Sequence, residues 1–254
     1  MKSRNFLLLM AVLVTVVPGN APMLAQGSPN VPLLSQMNLY PAAGYNDCWG
    51  YTAPDGREYA LLGVQTGTSV VDITDPANPV EVAFIPSATS LWKDIKTYQH
   101  YAYVVTEAGG GMQILDLSGL PNTVTELTPY TGFQTSHNIY VDVVNGMLYA
   151  EGDFGEPVRV LSLADPEHPV QIAAFGIECH DVFVQDNRAY VAEGGSGSIG
   201  IFDVTNPANP TLLQRLIIPN AGYVHNCWVT ADNHYMMTTE ETNGKTIKYW
   251  DISN

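Results

Sequence analysis

One pattern recurs five times along this chain, and a chain built of such units has few folds open to it. Each copy opens on a polar pair, at Asn46-Asp47, Lys93-Asp94, His137-Asn138, His180-Asp181 and His225-Asn226, so successive copies start 43 to 47 residues apart. Each continues through a tyrosine-containing second run and a third run marked by Asp72, Asp116, Ser162, Asp203 or Asp251. The clearest copy is Cys179 to Pro210. There Asp181 to Val184 alternate as a strand, Asp186-Asn187 supply a tight hairpin, Arg188 to Ala192 return, and Ile199 to Val204 make a third run stopped by the prolines of TNPANP. A fourth alternating run follows each proline-rich corner, at Val80 to Ile85, Val124 to Leu127, Val170 to Phe175 and Thr211 to Ile218. Four short strands repeating at this spacing predict an all-β chain, a β-propeller of about five four-stranded blades.

Composition agrees. Hydrophobic residues make up 46% and charged residues 14%, with glycine and proline plentiful and no long Glu/Lys/Ala/Leu run of the kind that makes helices. The segment VPLLSQMNLYPAAGYNDCW aligns with NPTLLQRLIIPNAGYVHNCW, so Leu33 to Leu39 is expected as a fourth strand with no first three strands upstream. The copy beginning at His225 lacks its own fourth strand, and the N-terminal strand would complete it and remove a sheet edge. The alternative is a chain truncated from a longer propeller.

Residues 1–26 read as a secretory signal: Lys2 and Arg4, an apolar core from Phe6 to Val17, then Pro18-Gly19 and small residues. That core is short for a membrane span of roughly 20 residues. The expected mature domain is 27–254, secreted, periplasmic or at the cell surface, with membrane contact only through the signal. Without Lys2 and Arg4 the chain has 8 basic residues against 25 acidic, a net −17, which argues against nucleic acid as a partner and suits cations or cationic ligands. Cys48, Cys179 and Cys227 are too few for a disulfide framework. They are expected as buried free thiols, with Cys48 and Cys227 on inner strands, or with one bridge as the alternative.

The first strand of each blade lines a propeller's channel, and the second runs antiparallel beside it. The start of the one and the end of the other meet at one mouth. Counting from the hairpins pairs Lys93 with Glu107, His137 with Glu151, His180 with Glu193 and His225 with Glu240; the first copy offers Asn46 and Gly63. The third pairing needs a bulge, because counting from Asn145-Gly146 sets Glu151 opposite Tyr140. His137, His180, His225, Glu151, Glu193 and Glu240 are therefore candidate ligands of a divalent metal, zinc, iron or manganese, and Lys93 and Glu107 candidate ligand-binding residues. The competing explanation is structural, with His-Glu pairs that lock hairpins and recur because the unit was duplicated. Asp47, Asp94, Asn138, Asp181 and Asn226 are expected as turn or inter-blade hydrogen-bonding residues rather than ligands.

Other motifs carry little. The glycine runs at Gly109 to Gly111 and Gly194 to Gly200 join strand to strand and lack the helix N-terminus a phosphate loop needs. Neither G-x-S-x-G, CxxC nor HExxH occurs. Trp49, Trp92, Trp228 and Trp250 are expected to pack between blades.

The recurring VxVxxxxAYV and (V/I)(L/F)D(V/I)(T/S)(D/N)P pattern, with its spaced HN, HD and HN pairs, resembles the LVIVD-repeat propellers of the choice-of-anchor B family. The resemblance covers about Leu33 to Asn254 and implies an exported bacterial propeller, secreted or on the cell surface, without implying an activity. The reading of the sequence favours a binding or interaction module over an enzyme, with the channel mouth as its metal or ligand site and a protein, glycan or small molecule as its partner. A metal-dependent hydrolase or lactonase-like enzyme is the alternative, with Glu193 or Glu240 as general base toward water. A purely structural surface protein is the third.

Overall fold

The computed structural model describes residues 31–151 and 157–253. The chain divides into two compact units, Met1–Gln36 and Met37–Asn254, and every strand lies in the second. The expected signal peptide lies outside the described residues. Among those described, no helix is long and apolar enough to cross a membrane.

Five antiparallel sheets follow one another in sequence order. The first contains β1 (Tyr45–Thr52), β2 (Glu58–Val64), β3 (Gly67–Asp72) and β4 (Val80–Pro86). The second contains β5 (Lys93–Tyr98), β6 (Tyr101–Thr106), β7 (Gln113–Asp116) and β8 (Thr125–Glu126); the third β9 (Ile139–Asp142), β10 (Met147–Ala150), β11 (Val158–Ser162) and β12 (Val170–Phe175). The fourth contains β13 (Asp181–Gln185), β14 (Arg188–Ala192), β15 (Ser198–Asp203) and β16 (Thr211–Ile217), and the fifth β17 (Val224–Val229), β18 (Tyr235–Glu240) and β19 (Lys248–Asp251). Each sheet is a simple meander, and β1, β5, β9, β13 and β17 are neighbours in turn, as the central strands of a propeller must be.

The local chemistry behind the repeat is visible in the fourth blade. Asp186 and Asn187 both take positive φ, at 49° and 60°, the backbone of a two-residue hairpin that small polar side chains tolerate. The strands they join pair in unbroken register from Asp181↔Ala192 to Gln185↔Arg188. Successive side chains then point to opposite faces, and both faces are covered. Val182 and Val191 pack toward the third blade, while Phe183 and Tyr190 pack toward the fifth. Four such apolar layers, one at each joint between neighbouring blades, form the core.

The second residue of each opening pair bolts one central strand to the next. Asp47 Oδ2 accepts from the Ile95 backbone N–H at 2.9 Å and Asp94 Oδ2 from that of Ile139 at 2.6 Å. Asn138 Nδ2 donates to the His180 carbonyl at 3.3 Å, and Asn226 Nδ2 donates to Asp181 Oδ2. These are the inter-blade hydrogen bonds expected from the sequence. At the first three joints a carboxylate or amide at that position meets a backbone group of the next blade, and at the fourth the amide of Asn226 meets the carboxylate of Asp181.

Several expectations are corrected. Leu33 to Leu39 form no strand, and the fifth sheet has three strands among the described residues. Tyr40, just beyond, is held on the first blade: its hydroxyl donates to Glu81 Oε1 at 2.6 Å and its ring stacks on Phe84 at 4.8 Å. The fourth strand of the second blade shortens to Thr125–Glu126. Cys48 lies on its inner strand but is exposed, whereas Cys179 and Cys227 are buried, and all three are free thiols. Trp49 and Trp228 do reach across joints between blades, Trp49 Nε1 donating to Thr97 Oγ1 at 3.0 Å and the Trp228 ring lying 4.4 Å from that of Phe183, although both keep a third or more of their surface exposed, as does Trp92.

Candidate functional site

Three imidazoles from three successive blades meet at one end of the central strands. His180 precedes β13 directly, His137 stands two residues before β9, and His225 is the second residue of β17. The His180 ring lies between the other two, its centroid 4.8 Å from that of His137 and 4.3 Å from that of His225. Tyr223 meets it edge-on at 5.3 Å.

The hydrogen bonds determine which ring nitrogens remain available. His180 Nδ1 is 2.9 Å from the His225 carbonyl oxygen. A carbonyl only accepts, so Nδ1 carries the proton and Nε2 keeps its lone pair. His137 Nδ1 is 2.6 Å from Glu107 Oε1, and donation to the carboxylate leaves its Nε2 in the same state. Burial, then the neighbouring His225 and His137, push His180 down to about 4. Burial likewise draws His225 below the ordinary histidine value, with His137 acting in the same direction and Glu241 against it. Near neutral pH both rings are uncharged, the state in which imidazole binds a metal.

His180, His225 and Glu241 each bring one ligand atom within 4.8 Å of the others. His225 Nε2 stands 3.9 Å from Glu241 Oε2. Bonds of about 2.0–2.2 Å to a tetrahedral zinc would need donors roughly 3.4 Å apart, so a closure of up to about 1.4 Å would suffice. Glu241 supplies it most easily. Its carboxylate is largely exposed, and only its backbone is tethered, N–H to Tyr223 O at 2.9 Å.

The carboxylates paired with these histidines from the sequence lie elsewhere. Glu193 is fully buried and grips Arg215 through two bonds, Nε to Oε2 at 2.6 Å and Nη2 to Oε1 at 2.8 Å, while the Ser198 hydroxyl donates to Oε2 at 2.6 Å. Its side chain crosses β15 at Gly200, where a Cβ would come within 2.6 Å of Oε1; the absence of a side chain there gives Glu193 its place. Glu240 pairs with Lys248 and accepts from the Gly222 N–H at 2.5 Å. A bulge between Val224 and Asn226 sets it opposite Val224 and frees His225 from that register. Glu107 does not meet Lys93: Lys93 lies opposite Thr106, is buried, and donates to Ala88 O at 2.9 Å, while Glu107 turns to His137.

Glu151 falls opposite Asn138 rather than Tyr140, since Tyr149 pairs with Tyr140 and Ala150 with Ile139. It is 2% exposed and its Oε2 has no hydrogen-bond partner among the described residues. Burial, then Asp181, raise its carboxyl well above the ordinary range. Glu241 and Tyr223 were not among the residues singled out from the sequence. The Glu240-Glu241 doublet was a signal for the first; only a bulge, which sequence counting omits, makes it the second glutamate that reaches His225.

Residues 58–84 and 178–216 match the LVIVD repeat. Two stretches of this β-propeller thus match that repeat. The two matched segments cover β2 to most of β4 and β13 to most of β16, that is, the greater part of the first and fourth blades. No curated protein sequence is significantly similar to the chain. Among solved structures, the propeller is similar to a functionally unknown protein from Desulfotomaculum acetoxidans, with a TM-score of 0.62 at 19% identity over 82% of this chain and 66% of that one. It is also similar to candidate 6-phosphogluconolactonases from Bacteroides uniformis and Bacteroides fragilis. The TM-scores are 0.61 and 0.59 at 16% and 10% identity, over 80% and 74% of this chain and 66% and 60% of those chains. At such identities the likeness is one of fold, and this chain spans about two thirds or less of each neighbour's length.

Proposed function

We propose that this LVIVD propeller is an exported bacterial binding module of the choice-of-anchor B type, whose channel mouth holds a divalent transition metal through His180, His225 and Glu241. The observation that carries the reading is the orientation of the imidazoles. His180 and His137 spend Nδ1 on a carbonyl and a carboxylate and are left with a bare Nε2, the arrangement by which proteins orient metal-binding histidines. Two imidazoles and one carboxylate suit zinc, iron or manganese and leave coordination positions for a ligand. His137, beside His180, would face that ligand, whether it belongs to a small molecule, a glycan or a protein.

The test is metal analysis of untagged protein, together with thermal unfolding in added zinc, manganese or iron(II). Wild type is expected to hold one equivalent of metal and to melt higher with it; His180→Ala and Glu241→Gln lose both properties. Protein that takes up no metal and melts unchanged would leave a purely structural role.

A metal-dependent hydrolase is the second reading, favoured by the fold shared with candidate lactonases. Glu193 and Glu240 do not serve as its base, since the one is committed to Arg215 and Ser198 and the other to Lys248 and Gly222. Glu107, reaching the mouth through His137, takes that role. Metal-dependent turnover of a lactone or ester panel, abolished by Glu107→Gln, would establish it; no turnover by the metal-loaded protein leaves the binding module.

A further inference from the structure

Tyr223, directly before β17, touches both halves of the mouth. Its ring meets the His180 ring edge-on, at 5.3 Å between centroids and 90° between planes. Its carbonyl oxygen accepts from the Glu241 N–H at 2.9 Å, and its own N–H donates to Thr242 Oγ1 at 2.9 Å. One residue thus bears on a histidine that opens the fourth blade and on a glutamate that follows β18 in the fifth. A glycine turn seats it. The Gly194 carbonyl accepts from the Val224 N–H at 2.9 Å, a bridge between the β14–β15 turn and the start of β17. A Cβ on Gly194 would come 2.9 Å from Tyr223 Cζ, 3.0 Å from its Cε2 and 2.7 Å from Glu178 Oε1, closer than side chains pack. Gly194 also takes a φ of 35°, which L side chains rarely adopt. Glu178 staples the same turn: Oε1 accepts from the Gly195 N–H at 3.2 Å, and Oε2 from the Ser196 N–H at 3.2 Å and its hydroxyl at 3.1 Å.

We infer that Tyr223 is a positioning residue of the metal site, which sets the tilt of the His180 ring toward the metal. The inference rests on the reading of the mouth as a metal centre. The bond from His180 Nδ1 to the His225 carbonyl fixes the tautomer and one point on the ring, and the ring can still rock about that point. An aromatic ring set against it at 90° restrains that motion, because the edge-to-face arrangement is the favoured one and is lost when either ring tilts. Contacts that orient a ligand in this way carry about 10–100-fold in metal affinity. The ring makes the contact, so the hydroxyl is dispensable. The bare Cα of Gly194 is not, since a methyl group there displaces the ring.

Cobalt(II), whose visible absorption reports the geometry of its ligands where zinc is silent, is the probe. Untagged wild type and Tyr223→Phe are expected to bind it with the same affinity and the same spectrum. Tyr223→Leu keeps the backbone bonds to Glu241 and Thr242 but loses the ring; it should bind about ten-fold more weakly, with an altered spectrum. Gly194→Ala, which alters no ligand, should do the same, and the two changes together should cost little more than either, since both act through one ring. Circular dichroism and urea unfolding of the metal-free chains show that each variant is folded; if Gly194→Ala is not, Tyr223→Leu and Tyr223→Phe alone decide. Tyr223→Leu with the affinity and spectrum of wild type overturns the inference and leaves the metal site standing. So does a Tyr223→Phe as damaging as Tyr223→Leu, which would assign the effect to the hydroxyl. A wild type that takes up no cobalt overturns the metal reading itself, and this inference with it.

Discussion

The Nδ1 of His180 lies 2.9 Å from the carbonyl oxygen of His225, one blade further along the chain. This contact fixes the tautomer, because only a protonated Nδ1 can bond to a carbonyl. Burial and the flanking imidazoles hold the ring neutral down to about pH 4. In metal-free protein, nitrogen-detected NMR should find His180 as the Nδ1–H tautomer, with a midpoint well under that of an exposed histidine. A midpoint near 6.5, or a proton on Nε2, would remove the basis for assigning Nε2 as a ligand.

Glu193 and Arg215 form a buried ion pair at the edge of the same blade, with Ser198 occupying a further lone pair of the carboxylate. Removing the carboxylate strands Arg215 and the serine hydroxyl together. Glu193→Ala should destabilise the chain by about 3 kcal/mol, the low end for breaking a buried pair because Arg215 remains 28% exposed. Metal affinity at the mouth should not change. Denaturant unfolding and a metal titration of one variant give the two values separately, and a loss of metal with intact stability would return Glu193 to the site.

The architecture was legible in the sequence because repetition and period-two alternation report on whole strands, and five copies average out local noise. The bolting role of Asp47, Asp94, Asn138, Asp181 and Asn226 was legible for the same reason. The partners of the histidines were not. Counting outward from a turn assumes an unbroken ladder, and the bulge before Asn226 shifts Glu240 off His225 while the turn before Met147 moves Glu151. Even where register continues, as at His180 and Glu193, opposed residues need not face each other. The missing side chain at Gly200 lets Glu193 reach across β15 to Arg215, an effect that a glycine in the middle of a strand announces only once the neighbouring strands are placed.

Asp94 bears on two strands at once, accepting from the Ile139 N–H with one oxygen and pairing with Lys96 through the other. Alanine there leaves the buried Ile139 N–H without an acceptor and the Lys96 ammonium with only the Ile95 carbonyl, whereas asparagine, the residue the repeat itself uses at positions 138 and 226, keeps an acceptor for Ile139. Asp94→Ala should cost about 2–4 kcal/mol, and Asp94→Asn less than half of that. Urea unfolding of the pair decides it; equal losses would mean that charge, and not the hydrogen bond to Ile139, joins these blades.

Asp181 gives the fold an unusual response to pH. Burial first, then Asp94, raise its carboxyl from the ordinary 3.8 to about 7. A group whose folded value exceeds its unfolded value binds its proton more tightly when folded, so its contribution is complete below about pH 4 and lost as pH rises through about 7. Asparagine at this position cannot ionise and escapes that loss. Asp181→Asn should therefore gain on wild type between pH 5 and pH 8, by about 1–3 kcal/mol if most of the shift is realised. His180 pulls the other way in both proteins, since its lowered value makes acid destabilising, and it cancels in the difference. Melting curves of the two chains at pH 5 and pH 8 provide the comparison. A difference that does not grow with pH would show Asp181 ionised in the folded chain, with Lys96 offsetting its charge.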